Sequence, residues 1–155
     1  MKKLTIILTM VLILFAVSTM TVSGKDYNRL FHKYGLLYND TSQELFFYFG
    51  VNWDYHLTKG FMITPEANLF VKPVCRVIYL EPAIILNLKL KNAFIGAGPM
   101  RLFRIAGDEL VEEFTGLKLN IGFRLGDMVI RFMHFSPFDD LFGDNWVSAQ
   151  IGFEF

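Results

Sequence analysis

The sequence predicts an all-β fold: an eight-stranded, antiparallel, up-and-down transmembrane β-barrel that follows a cleaved signal peptide. Three observations carry this. The chain opens with an export signal. Beyond it, apolar residues recur at every second position in segments of about ten residues, the length a tilted membrane strand needs. Hydrophobic residues make up 53% of the chain, yet no second apolar run reaches helix length.

The export signal is residues 1–24. Met1-Lys2-Lys3 is basic, Leu4 to Val17 is apolar and uncharged, and small residues follow. That run is short of the roughly 20 apolar residues of a spanning helix. Val22-Ser23-Gly24 is the expected cleavage site, with Ala16-Val17-Ser18 an earlier option; an uncleaved anchor is the competing reading. Residues 25–155 then form one domain.

The strands follow in order. Residues 28–38 (NRLFHKYGLLY) hold the first and least regular. In residues 44–56, Leu45, Phe47, Phe49, Val51, Trp53 and Tyr55 alternate with Glu44, Gly50, Asn52, Asp54 and His56. Successive strand residues point to opposite faces, so this is one apolar face and one polar face. Residues 61–71 set Phe61, Ile63, Ala67, Leu69 and Val71 against Thr64, Glu66 and Asn68. Residues 76–90 set Ile78, Leu80, Ile84, Leu86 and Leu88 against Glu81, Asn87 and Lys89. The fifth strand, 93–106, contains Gly96, Gly98 and Pro99, has no clean face, and is expected to hold a bulge. Residues 114–125 set Leu117, Leu119, Ile121 and Phe123 against Lys118, Asn120 and Arg124; residues 128–136 form the seventh strand. Residues 146–155 set Val147, Ala149, Ile151, Phe153 and Phe155 against Ser148, Gln150 and Glu154.

Tight connections at 57–60, 91–92 and 126–127 alternate with those at 39–43, 72–75, 107–113 and 137–144. In such barrels the tight turns face the periplasm and the longer loops face outward. The apolar faces then meet lipid, and a narrow lumen holds the polar ones. There Glu44, Asp54, Glu66, Glu81, Lys89, Lys118, Arg124, Arg131 and Glu154 are placed to neutralise one another. Leu119→Arg is expected to impair assembly, and Lys118→Leu, facing the lumen, to be milder. Trp53, Tyr55 and Tyr38 are expected at the membrane interfaces.

Composition narrows the function. Formal net charge is zero, which removes a basic nucleic-acid footprint. Cys75 is the only cysteine, so neither an internal disulfide nor a cysteine metal site forms. No cofactor or metal is expected; Asp139, Asp140 and Asp144 read as a solvated acidic loop before a calcium site. The chain ends on Phe155 with apolar residues at alternate positions. This resembles the C-terminal aromatic signature of bacterial outer-membrane barrel proteins, which implies the bacterial outer membrane and recognition by the barrel-assembly machinery.

One segment breaks the lipid face. Met128, Ile130 and Phe132 are followed at the same spacing by His134 and Ser136, with Arg131 on the opposite face. By the alternation of turns, this pair lies at the outer rim. "RFMHFS", an outer loop and a final strand resemble the C-terminal part of the lipid A 3-O-deacylases. That resemblance implies His134 as general base, Ser136 as nucleophile, and Asn145 where the family has an orienting Glu, with Asp144 or Asp140 as substitutes. It further implies lipopolysaccharide and outer-membrane lipid as partners, and a monomer. An Asn can orient a histidine, as in Cys-His-Asn sites. Pro137 stands where the family has Asn, and a proline supplies no N–H to an oxyanion hole. Two function classes remain: a Ser-His lipid A ester hydrolase, or a non-catalytic barrel of the OmpX type with a structural or surface-interaction role.

Overall fold

The computed structural model describes residues 28–72, 77–106, 109–141 and 143–154. The expected export signal, Cys75 and Phe155 lie outside them. Eight strands run in chain order: β1 (Asn28–Asn39), β2 (Glu44–His56), β3 (Phe61–Lys72), β4 (Val77–Leu90), β5 (Ala93–Ala106), β6 (Glu109–Leu125), β7 (Met128–Pro137) and β8 (Trp146–Glu154). Each pairs antiparallel with its neighbour, and β1 pairs with β8, so the sheet closes. Closure leaves no row of unpaired backbone groups facing outward, the condition for a sheet in hydrocarbon.

The faces are inverted relative to a soluble protein. Leu45, Phe47, Ile84, Leu86, Leu119, Ile121, Phe132, Val147 and Ile151 point outward and are close to half exposed. Lys33, Asp54, Glu66, Glu81, Lys118 and Arg131 point inward and are buried. Burying charge is costly without partners, whereas apolar surface is stable only out of water. This arrangement therefore suits a chain whose outer surroundings are lipid. Trp53, Tyr55 and Tyr38 lie on the outward face near strand ends, with Tyr55 and Tyr38 well exposed.

The lumen is filled in three layers. At the end nearest the 138–145 loop, Phe46, Tyr48, Phe70, Phe135 and Trp146 pack together, with Phe135 stacked on Trp146 at 5.6 Å. At the other end Phe31, Met62, Phe94 and Val129 form a smaller cluster. Between them lies the ion network. Lys118 meets Glu66 at 2.8 Å and Glu81 at 2.9 Å, Lys33 meets Glu66 at 3.1 Å, and Arg131 bridges Glu66 at 2.9 Å to Asp54 at 3.2 Å. Arg124 adds a second contact to Asp54 at 3.2 Å. Gly122 is required here: a Cβ would sit 2.1 Å from the Phe94 ring, over which the Arg131 guanidinium lies at 4.9 Å.

Tight turns close one rim. Gly126 takes φ +65° between β6 and β7, a conformation open to glycine at little cost. Thr58 Oγ1 accepts from the N–H groups of Gly60 and Phe61 at 3.2 and 3.1 Å.

The structure departs from the sequence reading in several places. The expected 107–113 loop is mostly strand, because β6 begins at Glu109 and pairs with β5 up to Ala106. The register moves by one between Leu102↔Phe114 and Phe103↔Glu112, leaving Glu113 as the extra residue. The bulge therefore belongs to β6, and the glycines of β5 sit in regular register. Glu113 pairs with Arg104 at 2.5 Å across that extended hairpin. Lys89, expected inside, is exposed near the tight-turn rim and joins no ion pair among the described residues. Glu44 pairs with Lys72, and Glu154 with Arg29 at 2.6 Å.

Candidate functional site

His134 and Ser136 both lie on the outward face of β7, opposite Leu119 and Leu117 of β6. Strand pleating fixes this, since the intervening Arg131, Met133 and Phe135 are all buried inward. Across the other side, His134 pairs with Val147 and Phe135 with Trp146. Asn145 therefore enters on the row of Ser136, one residue before β8 begins. Its carbonyl accepts the Asp40 N–H at 2.9 Å, which ties the β7–β8 loop to the β1–β2 turn.

The His134 Nε2 and the Asn145 Oδ1 are 2.8 Å apart, so the imidazole donates to the amide oxygen in the Nε2–H tautomer. The expected histidine–asparagine pair is thus in contact. No hydrogen bond joins the histidine–serine pair. Ser136 is only 2% exposed, and its hydroxyl makes no hydrogen bond to His134. General-base activation needs the hydroxyl within about 2.6–3.2 Å of the base. Pro137 behind it is buried too.

Neither alternative partner is hydrogen-bonded or ion-paired to His134 among the described residues. Asp144 accepts from Asn39 Nδ2 at 2.8 Å and from Trp146 Nε1 at 3.1 Å, which fastens the loop over the aromatic layer and turns that carboxylate away from His134. The Asp140 carbonyl accepts the Gly143 N–H at 3.4 Å within the loop. Among the described residues, no group of His, Cys, Asp and Glu is gathered in a way that would hold a metal ion.

The closed barrel and its inverted faces have solved counterparts. This is the fold of the small outer-membrane β-barrels. The chain superposes on Ail, the attachment invasion locus protein of Yersinia pestis, with a TM-score of 0.51 at 10% identity, covering 84% of this chain and 98% of Ail. It superposes on Neisserial surface protein A with a TM-score of 0.50 at 9% identity, covering 83% and 96%. A de novo designed transmembrane β-barrel gives 0.61 at 9% identity, covering 84% and 98%. Such identities carry the fold and nothing finer. No protein-family model and no curated protein matches the chain.

Two sets of residues escaped the sequence reading. Lys33 belongs to the buried ion network, and Lys72 and Arg29 to part-exposed ion pairs. For Lys33 the signal was present, since Leu30, Tyr34, Leu36 and Tyr38 share the opposite parity on β1. Arg101 stands exposed on the outward face of β5, in line with Ile95, Ala97 and Pro99. An odd-numbered apolar series running into an arginine was the available clue.

Proposed function

We propose that the chain is a non-catalytic outer-membrane β-barrel of bacteria, a monomer whose sealed wall displays its longer connections at the cell surface. The observation that carries this reading is that Ser136 is buried with no hydrogen bond to His134; the filled lumen supports a sealed wall. The ion network and the aromatic layer at its loop-side end leave a rigid plug. The likeness in fold to Ail and Neisserial surface protein A supports a surface role of this general kind. The bonds from Asn39 to Asp144 and from Asp40 to Asn145 support a loop region held in a defined shape. Outer-membrane lipid and lipopolysaccharide surround such a wall, and the barrel-assembly machinery would read its terminal Phe155. An epitope placed at Asp140 should label on intact cells and one at Asp127 should not. Labelling at 127 with none at 140 overturns the reading.

The second reading is a lipid A ester hydrolase, and one observation favours it. His134 and Asn145 are paired on the outward wall, where a membrane-borne ester could arrive by lateral diffusion. For Ser136 to act, its hydroxyl must emerge and meet the free Nδ1 of His134. A variant carrying Ser136→Ala should then leave intact an acyl chain that the unaltered protein removes.

A further inference from the structure

The outward wall carries a dent. A groove of about 880 Å³ crosses β1 to β6 on the lipid-facing side. Its floor is made where small or ring-closed side chains replace the long apolar ones. Val51 lies opposite Ala67, and Ala67 opposite Pro82, on three successive strands. Pro99 continues the floor on β5, while Phe49, Leu80 and Ile84 stand higher around it. The row of Ala67 and Pro82 runs on to Arg101, since Ala83 pairs with Met100 beside it.

Arg101 is out of keeping with this surface. It is exposed on the outward face, and among the described residues it has neither an ion pair nor a hydrogen bond. Of the carboxylates nearby in sequence, Glu113 is held by Arg104, and Glu112, which accepts the Thr115 hydroxyl at 2.9 Å, forms no ion pair with Arg101. An arginine against lipid is unfavourable at the midplane and falls towards neutral cost near the interface. Arg101 lies toward the loop-side rim, where the proposed surface reading puts the interface. It pairs with Thr115, whose carbonyl accepts the Phe138 N–H at 3.2 Å just where β7 gives way to its loop. The groove therefore begins toward the loop-side rim and runs down an apolar wall.

We infer that the groove is a binding site for the phosphorylated lipid A anchor of lipopolysaccharide, with acyl chains in the dent and a phosphate on Arg101. Apolar filling favours acyl chains, and an unpaired guanidinium favours a phosphate through paired, charge-assisted hydrogen bonds. Lipid A is chosen over a glycerophospholipid because the cation is at the loop-side rim, which the proposed surface reading puts in the outer leaflet. The inference rests on that reading for its leaflet alone.

The test is native mass spectrometry of the folded, detergent-solubilised barrel. Bis-phosphorylated hexa-acyl lipid A, its dephosphorylated form and phosphatidylglycerol are each added. The unaltered barrel should retain the phosphorylated form about tenfold better than the dephosphorylated one, the discrimination expected of a charged hydrogen-bonded pair. Arg101→Gln should remove that preference and Arg101→Lys should keep part of it. Ala67→Phe fills the dent and should lower retention of lipid A with the preference intact. Unchanged preference in Arg101→Gln overturns the site, as does no retention by the unaltered barrel. Equal retention of phosphatidylglycerol overturns the choice of lipid A. A dimer lost on Ala67→Phe, with no lipid retained, assigns the groove to a second copy of the chain and overturns it too. Failed binding with Asp140 surface-labelled sinks the groove alone; inverted labelling with binding intact sinks the surface reading.

Discussion

The ammonium of Lys118 lies 2.8 Å from the Glu66 carboxylate, and neither side chain is exposed. Lys118 reaches Glu81 from the same point, at 2.9 Å. Glu66 also meets Lys33 and Arg131, so these two residues join the cations of β1, β6 and β7 to the anions of β3 and β4.

Lys118→Leu should therefore destabilise strongly, although facing the lumen alone suggested a mild effect. Removing one partner of a buried pair costs about 3–5 kcal/mol, because the other charge stays buried without compensation. Urea unfolding of the barrel in lipid vesicles, followed by heat-modifiable migration, should show a clear drop in midpoint. The double change Lys118→Leu with Glu81→Leu should recover part of it, since it removes both members of one pair.

Leu119→Arg acts on the other face of the same strand. Leu119 is 43% exposed outward, opposite His134. A charge there costs about 2–4 kcal/mol if it lies near the bilayer midplane. The folded fraction should fall in vesicles and much less in detergent, where the micelle adapts around the cation. Equal loss in both would mean that the outward face is not lipid-facing at this position.

The pattern of residues made the barrel legible and the lumen chemistry only partly so. Period-two alternation placed Leu119 outward and Lys118 inward, and the bounds of β2 and β5 agree with the structure. The β6 extension was hidden because Val111, Glu112 and Glu113 break the alternation at the bulge. Partners inside the lumen depend on register around a closed ring. Lys33 meets Glu66 across 33 positions of sequence difference that no local pattern encodes. At the candidate site, parity put His134, Ser136 and Asn145 on one face. It gave no information on the burial of Ser136, which depends on how the loop settles.

Trp146→Ala should weaken the loop-side end of the lumen. Trp146 is 6% exposed, stacks on Phe135 and donates its indole N–H to Asp144. Truncating a buried tryptophan costs about 3–5 kcal/mol. Release of Asp144 should also free the loop, so proteolysis within 138–145 should quicken on folded protein. A variant as resistant as the unaltered chain would mean that Asn39 alone secures Asp144.

Asn145→Ala removes the hydrogen bond to His134 and leaves the backbone bond to Asp40 in place. The part-buried hydrogen bond to His134 contributes about 0.5–1.5 kcal/mol, so its loss should shift the unfolding midpoint little. Hydrogen exchange at Asp40, which reports the retained backbone bond, should stay slow; fast exchange there would make the side-chain contact the true anchor of the loop.

The mass profile of lipid A is the most direct test of the reading that this wall is non-catalytic. The unaltered protein, Ser136→Ala and His134→Ala would each be expressed, folded and surface-located, in a host of known lipid A structure. The account predicts the same lipid A masses from all three, matching those of cells without the protein. Loss of one ester-linked hydroxyacyl chain with the unaltered protein, absent from both variants, would contradict it and make His134 and Ser136 a hydrolytic pair.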